Sequence, residues 1–94
     1  MFVVIADLKI KKDEEEAYKK TFVETNKFAS KFDGFVSRRL LEKSDGSHRI
    51  LVEFENAEKY GKMHQSPEFD RFQIQSFKHL DILPVPLFYE IIAQ

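Results

Sequence analysis

Phe35 to Glu55 reads FVSRRLLEKSDGSHRILVEFE, two extended runs, Phe35 to Lys43 and His48 to Glu55, around Ser44-Asp45-Gly46-Ser47. Asp-Gly readily supplies the positive φ of a tight turn, so this stretch predicts a β-hairpin. Helical patterns flank it on both sides. Before it, Tyr18, Phe22, Thr25, Ala29 and Phe32 recur at helical spacing with Phe28 beside them, from Asp13 to a stop at Asp33-Gly34. That is a helix of about five turns. Asp13 with Glu16 resembles a capping box, and Lys27 and Lys31 complement the macrodipole at the other end. Glu15 to Lys19 and Glu16 to Lys20 add pairs worth roughly 0.2–0.5 kcal/mol each. After the hairpin, Asn56 caps a short helix to about His64. Ser66-Pro67 restarts one, with Ser as N-cap and Pro in the first turn. Phe69, Phe72, Ile74, Phe77 and Leu80 supply its apolar side, with Gln73 among them. The second helix is therefore broken near Gln65.

The outermost segments complete the plan. Phe2 to Ile10 (FVVIADLKI) is β-branched and apolar, and Leu87 to Ala93 (LFYEIIA) reads as a last strand that, given Pro86, begins at an edge or outside the ladder. The order β-α-β-β-α-β predicts an α+β, ferredoxin-like domain: a four-stranded antiparallel sheet with both helices on one face. In the first strand Phe2, Val4, Ala6, Leu8 and Ile10 share one face, while Val3 and Ile5 share the other. Helices cover only one face, so the second predicts a homodimer packed sheet to sheet.

The 94 residues make one domain, 1–94, with 43% hydrophobic and 33% charged residues in the globular range. The absence of Cys removes disulfide frameworks, thiolate metal sites and Cys nucleophiles. No signal-like start and no apolar run near 18 residues is present, which predicts a cytoplasmic protein without membrane partners. A formal charge of −1 argues against the basic field that nucleic acid requires. Ten Phe and no Trp serve either a compact core or a cavity for a flat ligand.

From Phe2 to Ile92 the chain resembles the antibiotic-biosynthesis-monooxygenase-like (ABM) family of dimeric α+β barrels. The matching pieces are the opening FVVIADLKIKK, the helix-ending FDGFVSRRLLE, the strand RILVEFEN and the segment SPEFDRF. The resemblance implies a dimer with a small cavity between helices and sheet in each protomer. Members include cofactor-independent oxygenases of polyphenols and quinols, haem-degrading enzymes and signal-molecule isomerases. Two departures bear on the site. Phe54 stands where members often carry Trp, and Met63 where they often place His, with His64 one residue on and turned about 100° around the helix. The Asn, Trp and His distinctive of the haem-degrading branch are not matched on the first strand, near Met63 or near Gln73.

The resemblance and the residues together predict a cavity lined by Phe22, Phe54, Met63, Phe69, Phe72 and Gln73, with His64 as the base. An unperturbed pKa near 6.5 suits it to proton transfer at neutral pH. The same Phe residues also read as core. His79 is explained by a helix C-terminus and His48 by solvent. Three His at 48, 64 and 79 without a nearby acid pattern predict no metal site. Tyr18, Tyr60 and Tyr89 are candidate donors to a bound oxygen. Arg38 and Arg39 point to opposite sheet faces, so one meets the cavity or an interface, where an ion pair to Glu53 is the simpler role. No Gly-rich phosphate loop or nucleophile elbow is present, which leaves hydrolase, kinase and nucleotide-dependent readings unsupported. Three functions follow. The first is a cofactor-independent monooxygenase of a small phenol, quinol or enolisable compound, needing no cofactor. The others are a non-catalytic dimeric module holding a small aromatic ligand or haem, and a small-molecule isomerase.

Overall fold

A computed structural model describes all residues, Met1–Gln94. Strand β1 (Phe2–Leu8) leads to helix α1 (Glu15–Ala29), the hairpin strands β2 (Phe35–Glu42) and β3 (His48–Phe54), helices α2 (Ala57–His64) and α3 (Pro67–Phe77), and strand β4 (Leu87–Glu90). The sheet order is β2-β3-β1-β4, antiparallel throughout, which is the ferredoxin-like arrangement. No helix is long and apolar enough to cross a membrane.

The local signals mostly act as expected. Gly46 takes φ +87 in the hairpin turn, and the Asp45 carboxylate accepts from Ser47 N at 2.9 Å and Ser47 Oγ at 2.6 Å. Asn56 Oδ1 accepts from Lys59 N and Ser66 Oγ from Phe69 N, so each half of the broken second helix has its own cap. β4 is an edge strand that begins at Leu87, so Pro86 lies outside the ladder.

Three boundaries differ from expectation. Asp13 does not cap α1: it lies at φ +66, a left-handed conformation that Asp tolerates, and the helix starts two residues later without any side-chain cap. The Glu14 carboxylate instead meets His79 Nδ1 at 2.9 Å, and Lys11 N donates to the His79 carbonyl at 2.8 Å. α1 also ends at Ala29, because Lys31 and Phe32 donate three residues back, to the Phe28 and Ala29 carbonyls, in a tighter turn. β4 stops at Glu90, whose partner is Phe2 at the start of β1. Ile92 and Ala93 lie beyond the paired residues.

The inner face of the sheet carries Phe2, Val4, Ala6 and Leu8 of β1 and Val52 and Phe54 of β3, all buried under the helices. All of these but Ala6 belong to two clusters. One gathers Phe2, Val4, Val52 and Phe54 with Ala29, Met63 and Phe69, and the other gathers Leu8, Tyr18, Phe22 and Leu80. Phe54 is fully buried and lies edge-on to both Phe35 and Tyr60. Phe54→Ala is expected to cost about 3–5 kcal/mol, read as a lower urea midpoint at unchanged m-value.

Candidate functional site

Between the two clusters the sheet floor is built of short side chains. Val4, Ala6, Ile50 and Val52 line a cavity of about 280 Å³. Tyr60, Met63 and His64 of α2 and Phe69, Gln73 and Phe77 of α3 form its roof, and Pro84 and Pro86 run along its mouth. The one charge on its floor is Arg38.

Arg38 reaches this face because β2 carries a bulge between Phe35 and Ser37. Phe35 pairs with Phe54, Ser37 with Glu53 and Arg38 with Val52, so the parity of the strand flips across Val36. Arg39 therefore faces outward, where its Nη2 lies 3.5 Å from Glu53 Oε1. The two roles weighed for this pair are thus divided between its members. Arg38 Nη1 donates to Asn26 Oδ1 at 2.8 Å, and Asn26 Nδ2 donates back to the Arg38 carbonyl at 2.6 Å. Its guanidinium carbon sits 4.2 Å from the centre of the Phe22 ring, a cation–π contact, and 6.0 Å from that of Phe69. No acid lies close enough to oppose the cost of burial, which pulls the guanidinium down to about 10, partly offset by Tyr18 and Tyr60.

His64 stands at the rim, its ring 5.4 Å from Tyr60 and 5.6 Å from Phe69, centre to centre. Burial of part of the ring pushes it below the usual imidazole value, against the opposing pull of Asp70. It is neutral at pH 7 and able to accept a proton. Burial also pushes the Tyr60 hydroxyl upward, so this roof residue remains protonated and can donate. Tyr18 is pushed up to about 12 by burial and belongs to the core. Tyr89 is exposed on the outer face.

Of the residues expected to line the cavity, Met63, Phe69, Gln73 and His64 do so. Three do not. Phe54 is enclosed by Phe35 and Tyr60 at one end of the sheet's inner face, and Phe22 lies beneath the Arg38 guanidinium. Phe72 turns away to pack on Phe28, ring centres 5.3 Å apart, because its place on α3 faces α1. Sequence reasoning undervalued Arg38 and Tyr60. The available signal was the alternation across β2, which needed the bulge to be resolved.

His48 also differs from expectation. It is not solvated: its side chain is 11% exposed, and Nε2 lies 3.2 Å from both Glu15 Oε1 and Glu42 Oε1. The fold brings together one residue each from α1, β2 and β3, which no local pattern reveals. Their donor atoms, within 4.8 Å of one another, form the one group able to hold a metal ion. Lys19 Nζ, 3.4 Å from Glu15, balances the acids, and the Glu15 carboxyl lies below its usual range through His48 and Lys19.

The family profile for antibiotic biosynthesis monooxygenase matches residues 1–75, so the chain belongs to the antibiotic biosynthesis monooxygenase family. SnoaB, a cofactor-independent oxygenase from Streptomyces nogalater, shares the fold with a TM-score of 0.86 at 14% identity, over 99% of this chain and 94% of that one. Rv0793 from Mycobacterium tuberculosis has a TM-score of 0.85 at 17% identity, over 99% and 96% of the two chains. A conserved protein from Methanosarcina mazei Go1 has a TM-score of 0.85 at 13% identity, over 94% and 89%. At these identities the likeness is one of fold. No curated protein matches the sequence.

A guanidinium held without an acid does little for stability. Arg38→Met, which keeps the stem and removes the charge, is expected to leave the free energy of unfolding within about 1 kcal/mol of the wild type in urea titration.

Proposed function

We propose that the chain is a cofactor-independent monooxygenase of a small phenol, quinol or enolisable compound bound in this cavity. One observation carries the reading. A neutral imidazole and an acid-free guanidinium flank the same Phe69 ring in a chamber whose other lining is apolar save for Gln73 and the Tyr60 hydroxyl. The match to a cofactor-independent oxygenase fold supports it.

The chemistry asks for little more. His64 takes the substrate's proton, and the Tyr60 hydroxyl donates to the resulting oxyanion. The electron-rich anion passes one electron to O₂, the two radicals combine at carbon as a peroxide anion, and the protonated His64 returns its proton to give the hydroperoxide. Loss of water leaves a new carbonyl. One oxygen atom enters the product and the other leaves as water, while the substrate loses two hydrogens and supplies the electrons. The apolar walls exclude water from the anion and hold oxygen close to it.

Oxygen uptake by metal-stripped protein over hydroquinones, catechols and polyphenols, corrected for autoxidation, is expected to saturate with substrate and vanish on heat inactivation. His64→Ala should lower turnover about tenfold or more. Because the imidazole must be neutral and its pKa is lowered, kcat/KM in the wild type should hold as pH falls to 6.5 and decline only below it, with the limb absent from His64→Ala. Turnover without uptake would favour the isomerase reading, and saturable binding without turnover the non-catalytic module.

The outer sheet face supports assembly as a homodimer. Ile5 lies between Leu51 and Leu87, Val3 beside Tyr89, and Leu41 with exposed Val36 extends the apolar surface. Light scattering is expected to give twice the 11.1 kDa of one chain, and Ile5→Glu to return the mass to that of one chain.

A further inference from the structure

We infer that the cavity selects a planar aromatic ring bearing a carboxylate, with Arg38 as the residue that reads it. The inference rests on the cavity being the ligand site proposed above and adds the charge class of the ligand.

Three features of Arg38 carry it. A guanidinium has about five N–H donors, and Asn26 is the one side chain to take any of them. No buried side-chain nitrogen or oxygen is left sealed without a partner, so the remaining donors open into the cavity. The second feature is orientation. Asn26 fixes one edge and Phe22 lies under the plane, so the fork is held in place before any ligand arrives. A fixed fork suits an acceptor with two coplanar oxygens, which a carboxylate offers and a hydroxyl or carbonyl does not.

The third feature is charge balance. The lining contains no Asp or Glu, and its other titratable groups are His64 and Tyr60, both neutral at pH 7. The nearest outward Arg, Arg39, has Glu53. Arg38 alone meets its cavity unpaired. A single fixed cation in an apolar chamber is matched by a single permanent negative charge, whereas a doubly charged phosphate would bring an excess that nothing lining the cavity opposes. The volume of about 280 Å³ and the Phe69, Phe77 and Tyr60 walls fit one flat ring beside that charge.

Benzoate and benzamide, alike in shape and different in charge, are the probes, titrated at pH 7 into the wild-type chain and Arg38→Met and followed in nitrogen–proton correlation spectra. Benzoate is expected to bind at least about tenfold tighter than benzamide to the wild type, and to fall to the benzamide level in Arg38→Met while benzamide changes less than about twofold. Equal affinities in the wild type, binding of neither probe, or a preference that survives in Arg38→Met would overturn the inference. Titration of para-nitrophenolate tests the other oxyanion: affinity equal to that of benzoate would overturn the carboxylate assignment. The wild-type comparison needs no variant and decides even where Arg38→Met does not fold. A benzoate preference without oxygen uptake by any substrate would sink the oxygenase reading and leave this one, and uptake from neutral quinols with no charge preference would do the reverse.

Discussion

Strand parity is the constraint on which the site depends. Side chains alternate across a sheet, so one extra residue exchanges every side chain beyond it between the two faces. In β2 that residue is Val36. Were Phe35, paired with Phe54, followed by a regular ladder, Ser37 and Arg39 would face the helices and Arg38 would face out. The bulge reverses this, and with it the electrostatics of both faces. The guanidinium that enters the domain is then the one Asn26 of α1 can hold, and the one that leaves is the one Glu53 can pair. Gly34, at φ +86 just before the bulge, accepts from Glu55 N through its carbonyl and packs so closely on Lys59 that a Cβ would lie 2.6 Å from its side chain. The chain entering the bulge and the helix carrying Tyr60 and His64 are thereby fitted to each other.

The second determinant is the division of the core. Rings gather at the two ends of the sheet, Phe2 and Phe54 at one and Tyr18 and Phe22 at the other, while Val4, Ala6 and Val52 occupy the middle. Small residues there leave room between sheet and roof that no side chain fills. Stability is thus drawn from the ends and the open space from the centre, which lets one small domain hold both. The polar contacts follow the same logic. The hydrogen bonds of His48 with Glu15 and of His79 with Glu14 tie the start of α1 to the hairpin and to the end of α3, around the cluster containing Leu8 and Leu80.

Much of the fold was legible because its signals are local. The Asp45-Gly46 turn, the Asn56 and Ser66 caps and the two apolar stripes each rest on a few adjacent residues. What escaped depended on distant partners. Asp13 and Glu16 spell a capping box, yet His79, far along the chain, takes Glu14 and the helix starts later. His48 looks like a turn-flanking residue until α1 brings Glu15 beside it. In the site, Phe69 and Gln73 were legible because their i, i+4 spacing places them on one face of α3, and Met63 and His64 because they stand at the break between the two helices. Phe72 was not, since its direction depends on where α1 crosses. The choice between Arg38 and Arg39 required knowledge of a bulge that the string FVSRR does not display.

The two prolines at the mouth have a kinetic consequence. Pro84 and Pro86 carry no N–H, and β4 joins β1 only from Leu87 onward. Between the bridge at Leu80 and that first rung, the chain covers the chamber by shape alone. Lifting it breaks no rung of the sheet. Opening of the chamber is therefore separated from the cooperative unfolding of the domain, because it leaves every strand paired.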